Sequence, residues 1–205
     1  MAIAIDERKW GDFNGSSPLI AVYNSFHPLT PEMEALIDIH TFPISFRKNR
    51  YIISPIDRNR YLYLILKGVV RGFYKDDGSE ITTWISRENE IVGTIRNLWT
   101  NEESEEYLQA IEDVDLIAIP HDLTTMLYQN YYEANIIGRK IMELHYQAAC
   151  DRALICQLPT VKSRYHHLLK AFPGMIERVP LKHVASFLGV RIETLSRVRT
   201  SEKTV

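Results

Sequence analysis

At 205 residues and 45% hydrophobic content, the chain can bury one good core or two small ones. No apolar run approaches the ~20 residues of a membrane span, and Met1 to Phe13 mixes charges with apolar residues, unlike a secretory leader. The net charge of −2 argues against nucleic acid only until its distribution is examined.

Met1 to His27 has mixed charge and an Asn14–Ser17 turn cluster, which predicts an arm with one short helix. Thr30-Pro31, a hydroxyl cap followed by proline in the first turn, predicts a helix running to about Ile39. From Lys48 to Pro120 the pattern changes to short strands: Arg50–Ser54, Tyr61–Leu66, Val69–Tyr74, Glu80–Ile85, Tyr107–Ile111 and Leu116–Ile119. Lys67-Gly68 and Asp76-Asp77-Gly78 punctuate them as hairpin turns. Many short antiparallel strands at regular intervals predict a sandwich or roll of jelly-roll topology.

After a first turn near Leu123–Leu127 the period becomes helical. Ile137, Ile141, Leu144, Ala148, Asp151, Ile155 and Leu158 recur at steps of four and three, a seam interrupted by Asp151 and ended by Pro159. Such spacing predicts a helix–helix partner, hence a two-fold dimer, with Ile137, Ile141, Leu144, Ala148 and Ile155 at its interface. Cys150 and Cys156 lie six apart on the same helix and face different ways. They predict neither a disulfide nor a shared metal site, but the reduced thiols of a cytoplasmic protein. Val161 to Ala171 forms a further helix, closed by Phe172-Pro-Gly174, and Glu177 to Pro180 reads as an extended link.

Leu181 to Arg199 has the spacing of a helix-turn-helix. With Leu181 as first place, Val184 and Ala185 fall fourth and fifth, Leu188 eighth, Gly189 ninth and Val190 tenth; Ile192, Leu195 and Val198 fall twelfth, fifteenth and eighteenth. Ala185 is small where the second helix crosses, and Gly189 takes the tight turn, where a left-handed backbone disfavours a side chain. From Thr160 onward, nine Lys and Arg face three acids, a local +6 that leaves −8 for the rest. An acidic body with a basic C-terminal module is the footprint of a protein that meets phosphates at one end.

On the second helix of the motif, Ile192, Leu195 and Val198 are expected to face inward, leaving Arg191, Glu193, Thr194, Ser196 and Arg197 outward. Arg197 can donate a bidentate pair to guanine O6 and N7, and Glu193, one turn away, can accept from cytosine N4. Arg199, Lys182, His183 and Lys162 are cast as phosphate contacts, which position without specifying.

The order of roll, long helix and helix-turn-helix resembles the Crp/Fnr family of bacterial transcription regulators, over roughly Pro31 to Arg199. The matching stretches are Tyr61-Leu-Tyr-Leu-Ile-Leu-Lys-Gly68 with Val69-Val-Arg71, Asp77-Gly-Ser-Glu80, and Val179-Pro-Leu-Lys-His-Val-Ala-Ser-Phe-Leu-Gly-Val190 running into Glu193-Thr-Leu-Ser-Arg197. The resemblance implies an α+β chain in four parts. These are an N-terminal arm (1–29), a cyclic-nucleotide-binding-like double-stranded β-roll (30–126), a dimerisation helix (127–159) and a helical DNA-binding domain (160–205). It further implies double-stranded DNA with a palindromic operator as partner, a second copy of the chain, and RNA polymerase as a contact left open.

Three departures sharpen that expectation. Nucleotide-binding members of the family use Gly-Glu early and Arg-Ser or Arg-Thr later, with the arginine on the phosphate. Here Glu90-Ile-Val-Gly93 and Asn101-Glu-Glu-Ser-Glu-Glu-Tyr107 take those places, with Ser104 where the arginine would stand, among Glu102, Glu103, Glu105 and Glu106. An anion site without a fixed cation, beside four carboxylates, predicts that cyclic nucleotide does not bind. The chain ends six residues after Arg199, as in a short-tailed branch without a β-hairpin wing. Family members often carry an arginine just before the glutamate; Ile192 stands there, and Arg191 is the nearest substitute.

No cofactor is expected: two cysteines on one helix cannot hold an iron–sulfur cluster, and no haem ligand pair stands out. No Gly-x-Ser-x-Gly, P-loop or Gly-x-Gly-x-x-Gly appears, so an enzyme is not expected. His40, His121 and the adjacent His166-His167 lack the paired spacing of a metal site. The rival reading is a β-roll module that binds a metabolite or a protein, with a C-terminal domain that no longer binds DNA.

Overall fold

The computed structural model describes residues 7–56, 60–94 and 104–203. A 3₁₀ turn (Glu7–Phe13) leads into α1 (Pro18–Phe26) and α2 (Pro31–His40). Eight strands follow: β1 (Phe42–Phe46), β2 (Tyr51–Ile53), β3 (Tyr61–Lys67), β4 (Val70–Asp76), β5 (Ser79–Ser86), β6 (Ile91–Val92), β7 (Tyr107–Ala110) and β8 (Val114–Pro120). They form two antiparallel four-stranded sheets, ordered β1-β8-β3-β6 and β2-β7-β4-β5. The β4–β5 hairpin turns at Asp77 and Gly78, both with positive φ (44° and 75°), the backbone that matches the twist of its strands. Alternating side chains from both sheets, among them Ile53, Ile65, Val70, Leu108 and Leu116, meet between the layers and bury completely or nearly so.

Two strands escape the sequence pattern. β1 contains Pro43, and a proline demotes a strand in any pattern-based reading. It is tolerated because, among the described residues, β1 stands at the edge of its sheet, paired only with β8. β6 has two residues, too few for a period.

The segment expected as an arm with one short helix does carry a helix, and it is packed. Trp10, Leu19 and Tyr23 bury against Met33 and Ile37 of α2, against Leu64, Ile117 and Ile119 of the β1-β8-β3-β6 sheet, and against the helices that follow it. Trp10 Nε1 donates to the Asp38 carbonyl at 3.1 Å, and the Asp38 carboxylate accepts from Ser17 N at 2.6 Å. An indole that reaches a carbonyl while burying its ring is a strong anchor. α2 starts as expected, with Thr30 Oγ1 accepting from Met33 N and Pro31 in its first turn.

After the roll come α3 (His121–Asn130) and the 26-residue α4 (Tyr132–Gln157), which is about 39 Å long at 1.5 Å per residue. The C-terminal domain is helical: α5 (Val161–Ala171), α6 (Met175–Arg178), α7 (Leu181–Leu188) and α8 (Ile192–Lys203). α6 replaces part of the extended link expected over Glu177–Pro180 with one helical turn. Its core is shared with the roll, since Val69, Ile85 and Ile111 join Ile155, Leu168, Phe187 and Leu195 in one buried cluster. No helix among the described residues is long and apolar enough to cross a membrane.

Candidate nucleic-acid interface

The helical hairpin α7–α8 closes as its spacing predicts. Gly189 ends α7 at φ 64°; its N–H reaches the Ser186 carbonyl, and Val190 N reaches the Ala185 carbonyl at 3.0 Å. This paired closure satisfies carbonyls that the last helical turn leaves open, and it requires a left-handed residue. Thr194 N and Leu195 N then bond the Arg191 carbonyl and start α8. Arg164 of α5 braces the turn, donating to the Leu188 carbonyl at 3.1 Å and the Leu158 carbonyl at 2.8 Å.

α8 is held from one side only. Leu195 is fully buried and Val198 packs on the same cluster, against α5 and α7. Opposite them Glu193, Ser196, Arg197 and Thr200, at steps of three and four, form an exposed face, with exposed Arg191 just before the helix. Thr200 was not singled out from the sequence, although the period that selects Glu193 and Arg197 reaches it one turn later. Thr194 and Arg199 lie half-buried on the flanks. Ile192, expected inward, is 40% exposed, because it opens the first turn of α8 beyond the end of the α7 core.

α7 is held from two sides. Its second face packs on β5, where Ser186 Oγ donates to the Glu80 carbonyl at 2.6 Å and accepts from Thr82 N at 2.9 Å. Arg152 of α4 joins this contact, donating to the Thr82 carbonyl at 2.9 Å with its guanidinium 5.0 Å from the Phe187 ring. Beneath it Arg71 is buried, bonded to Gln109 Oε1, to Thr82 Oγ1 and to the Glu80 carboxylate.

His183, expected at a phosphate, is a correction. It is 6% exposed, and burial, reinforced by the charges of Arg71 and Lys182 against the opposing pull of Glu80, brings its pKa down to about 4. A neutral, enclosed imidazole offers a phosphate no charge. Its neighbour Lys182 is exposed.

A second set of bonds fastens the domain from the other side. Arg178, at the end of α6, donates to both oxygens of Glu88 at 2.8 and 2.6 Å and also pairs with Glu112. The Arg178 bonds hold the Glu88 pKa down at about 2. Arg87 Nη1 donates to the Pro173 carbonyl at 2.8 Å. Partners 66 to 90 residues apart in sequence leave no local signal, so none of these contacts could be read beforehand.

In the roll, Ser104 is buried and its Oγ accepts from Glu106 N at 3.1 Å. Glu106, also buried, accepts from Trp84 Nε1 at 2.8 Å and from Thr83 Oγ1 at 3.3 Å. A carboxylate thus points into the sheet beside the position where the family's arginine is expected, while Glu105 faces solvent. Asn101, Glu102 and Glu103 lie outside the described residues. Among the described residues no cluster of three His, Cys, Asp or Glu is placed to hold a metal.

Residues 43–131 match the family model of the cyclic nucleotide-binding domain. A comparison by sequence with curated proteins gives no match. Among solved structures, a putative Crp/Fnr-family transcriptional regulator from Eubacterium rectale superposes with a TM-score of 0.70 at 17% identity, covering 92% of this chain and 87% of that one. FixK2 from Bradyrhizobium japonicum gives 0.68 at 16% identity, covering 80% and 85%. CLP from Xanthomonas campestris, a c-di-GMP responsive global regulator, gives 0.66 at 17% identity, covering 85% and 92%. The chain has the Crp/Fnr fold. It combines a cyclic nucleotide-binding-type roll with a C-terminal helical domain.

Within that fold, the α4 seam is divided. Ile137 (2% exposed) belongs to the core around Trp10 and Leu19, and Ile155 (1%) to the core of the C-terminal domain, so neither is open to a partner as expected. Ile141 is half-buried against the first of these cores. Leu144 and Ala148 are exposed. The reason lies in what packs on α4: α1 and α3 cover one stretch and α5 another. Spacing shows that a stripe buries, not what buries it. Besides Leu144, which was expected there, the large apolar side chains that α4 leaves more than half exposed are Tyr132, Met142, Tyr146 and Leu154.

Proposed function

We propose that the protein is a sequence-specific DNA-binding transcriptional regulator, acting in the cytoplasm as a homodimer, whose roll does not take a cyclic nucleotide. The observation that carries DNA reading is α8 itself. One side is locked by Leu195 and Val198, and the other offers Glu193, Ser196, Arg197 and Thr200 on one exposed face. That face has the donor and acceptor needed at base edges in the major groove. Arg191, Lys182, Lys162 and Arg199 add positive charge to the domain, with which phosphates are met. Selection of bound fragments from random DNA tests the proposal. The expected product is a near-palindrome with half-sites about 34 Å apart. Absence of any shifted complex at low salt would overturn it and favour a roll that binds a metabolite or protein without DNA.

For the dimer, the support is the exposed apolar side chains of α4, of which Met142 and Tyr146 stand one turn apart. Surfaces of this kind mark association sites more often than solvent faces. Replacing Met142 and Tyr146 with lysine should halve the mass seen by light scattering; an unchanged mass places the interface elsewhere.

For the roll, the support is the buried Glu106 carboxylate beside Ser104. A phosphate brought to that place meets like charge instead of a guanidinium. Calorimetric titration with micromolar cyclic AMP should show no saturable heat, and a saturable isotherm would refute this part alone.

A further inference from the structure

Where the roll meets the C-terminal domain lies a cleft of about 270 Å³, with no residue of α8 in its lining. Its floor is apolar: Val69 and Ile85 from the roll, and Phe172, Met175 and Val179 from the segment joining α5 to α7. Its polar groups come from both sides: Ser86, Arg87 and Glu90 at the end of β5 and in the turn after it, which is closed by the bond from Glu90 N to the Arg87 carbonyl at 3.2 Å, and Glu177 and Arg178 of α6. The volume lies at the small end of ligand pockets, which run from ~300 to 1,000 Å³.

The two guanidinium groups at this cleft differ. Arg178 is committed to Glu88 and Glu112. Among the described residues, exposed Arg87 spends one terminal nitrogen on the Pro173 carbonyl, which leaves N–H donors for a carboxylate. Glu90, three residues on, is bonded to Ser86 and keeps part of its surface open; burial of the carboxyl raises its pKa above the ordinary value. A carboxyl in that setting gains from a donor delivered by a ligand.

We propose that this cleft binds a small aliphatic acid carrying a hydrogen-bond donor next to its carboxylate, a 2-amino or 2-hydroxy acid. The ligand's carboxylate meets Arg87, its neighbouring donor meets Glu90, and its aliphatic body covers Ile85, Met175 and Val179. Because the floor is contributed by both the roll and the C-terminal domain, the ligand ties their relative placement to its own concentration. This site is independent of whether α8 reads DNA, so failure of one reading leaves the other standing.

The test is calorimetric titration of the full chain with three probes: L-leucine, 2-hydroxy-4-methylpentanoate and 4-methylpentanoate, which lacks the donor. At least one of the first two should bind saturably, and the third at least tenfold more weakly. Whichever binds tells the amino from the hydroxy class. Arg87→Gln should weaken the bound probe at least tenfold, with its fold checked by circular dichroism. Glu90→Gln, a second exposed change, should narrow the gap between that probe and 4-methylpentanoate. No saturable heat from either probe, or equal binding by the wild type and Arg87→Gln, overturns the proposal.

Discussion

α7 and α8 are neighbouring helices of one hairpin, yet their surfaces have opposite fates. α7 buries five of its eight residues, His183, Val184, Ala185, Phe187 and Leu188, because α8 lies on one side and β5 on the other. α8 buries Leu195 completely and leaves Glu193, Ser196, Arg197 and Thr200 to solvent. A helix packed on two sides can only fix a position. A helix packed on one side is positioned and still has a face to offer. Basic or polar character does not separate the two, since α7 carries Lys182 and His183; what separates them is how many of their sides are covered.

The largest test of this contrast removes the centre of α7. Phe187 is 2% exposed, meets Phe172 edge-on at 5.9 Å and lies under the Arg152 guanidinium. Phe187→Ala should cost about 3–5 kcal/mol in chemical denaturation, through lost burial and the cavity left behind. A loss below 1 kcal/mol would mean that α7 is not clamped between two neighbours.

Next is α8. Arg197→Ala should leave folding stability unchanged within error while costing ~1–3 kcal/mol of discrimination at one guanine per half-site. Arg199→Ala, on the half-buried flank, should weaken all sequences alike and flatten the salt dependence. Competition binding against single-base operator variants separates them. Uniform loss from Arg197→Ala would remove it from base reading.

A smaller effect is expected at the joint with β5. Ser186→Ala leaves Thr82 N–H and the Glu80 carbonyl without their hydroxyl partner, a cost of roughly 1 kcal/mol in urea unfolding. Ser186→Thr should recover part of it if the joint tolerates one more methyl group.

The smallest signal is a slope. The folded chain holds His183 neutral down to about pH 4, whereas in the unfolded chain it protonates near its ordinary value of 6.5. The unfolded state therefore binds more protons between these values. The contribution of His183 is complete above pH 6.5 and is lost as pH falls toward 4. His183→Gln should flatten the dependence of the urea midpoint on pH within that window, and unchanged slopes would place the imidazole in solvent.

Much of the fold was legible because it rests on local chemistry. The Thr30 cap, the Asp77-Gly78 turn, the helix Val161–Ala171 and the Gly189 closure each depend on a few adjacent residues, and each stands where the sequence places it. β1 was hidden because an edge position excuses its proline, and edges are defined by the sheet. The exposed face of α8 was legible in Glu193, Ser196 and Arg197 through helical period alone, with Thr200 missed by one turn.

The sequence by itself determined most of the inward-turning residues within the elements, Ile192 being an exception, since periodicity and caps act over one or two turns. Only the tertiary structure decided what they turn toward. Ile137 and Ile155 fit a dimer seam by spacing but lie in two different cores of their own chain. His183 fits a phosphate contact by position but faces Arg71 and Glu80, more than a hundred residues away in sequence. Trp10 lies in a segment that reads as an arm but packs against α2 and the roll. In each case apolar burial has no direction in sequence: the same stripe is satisfied by a sheet, by another helix or by a second molecule, and long-range packing makes the choice.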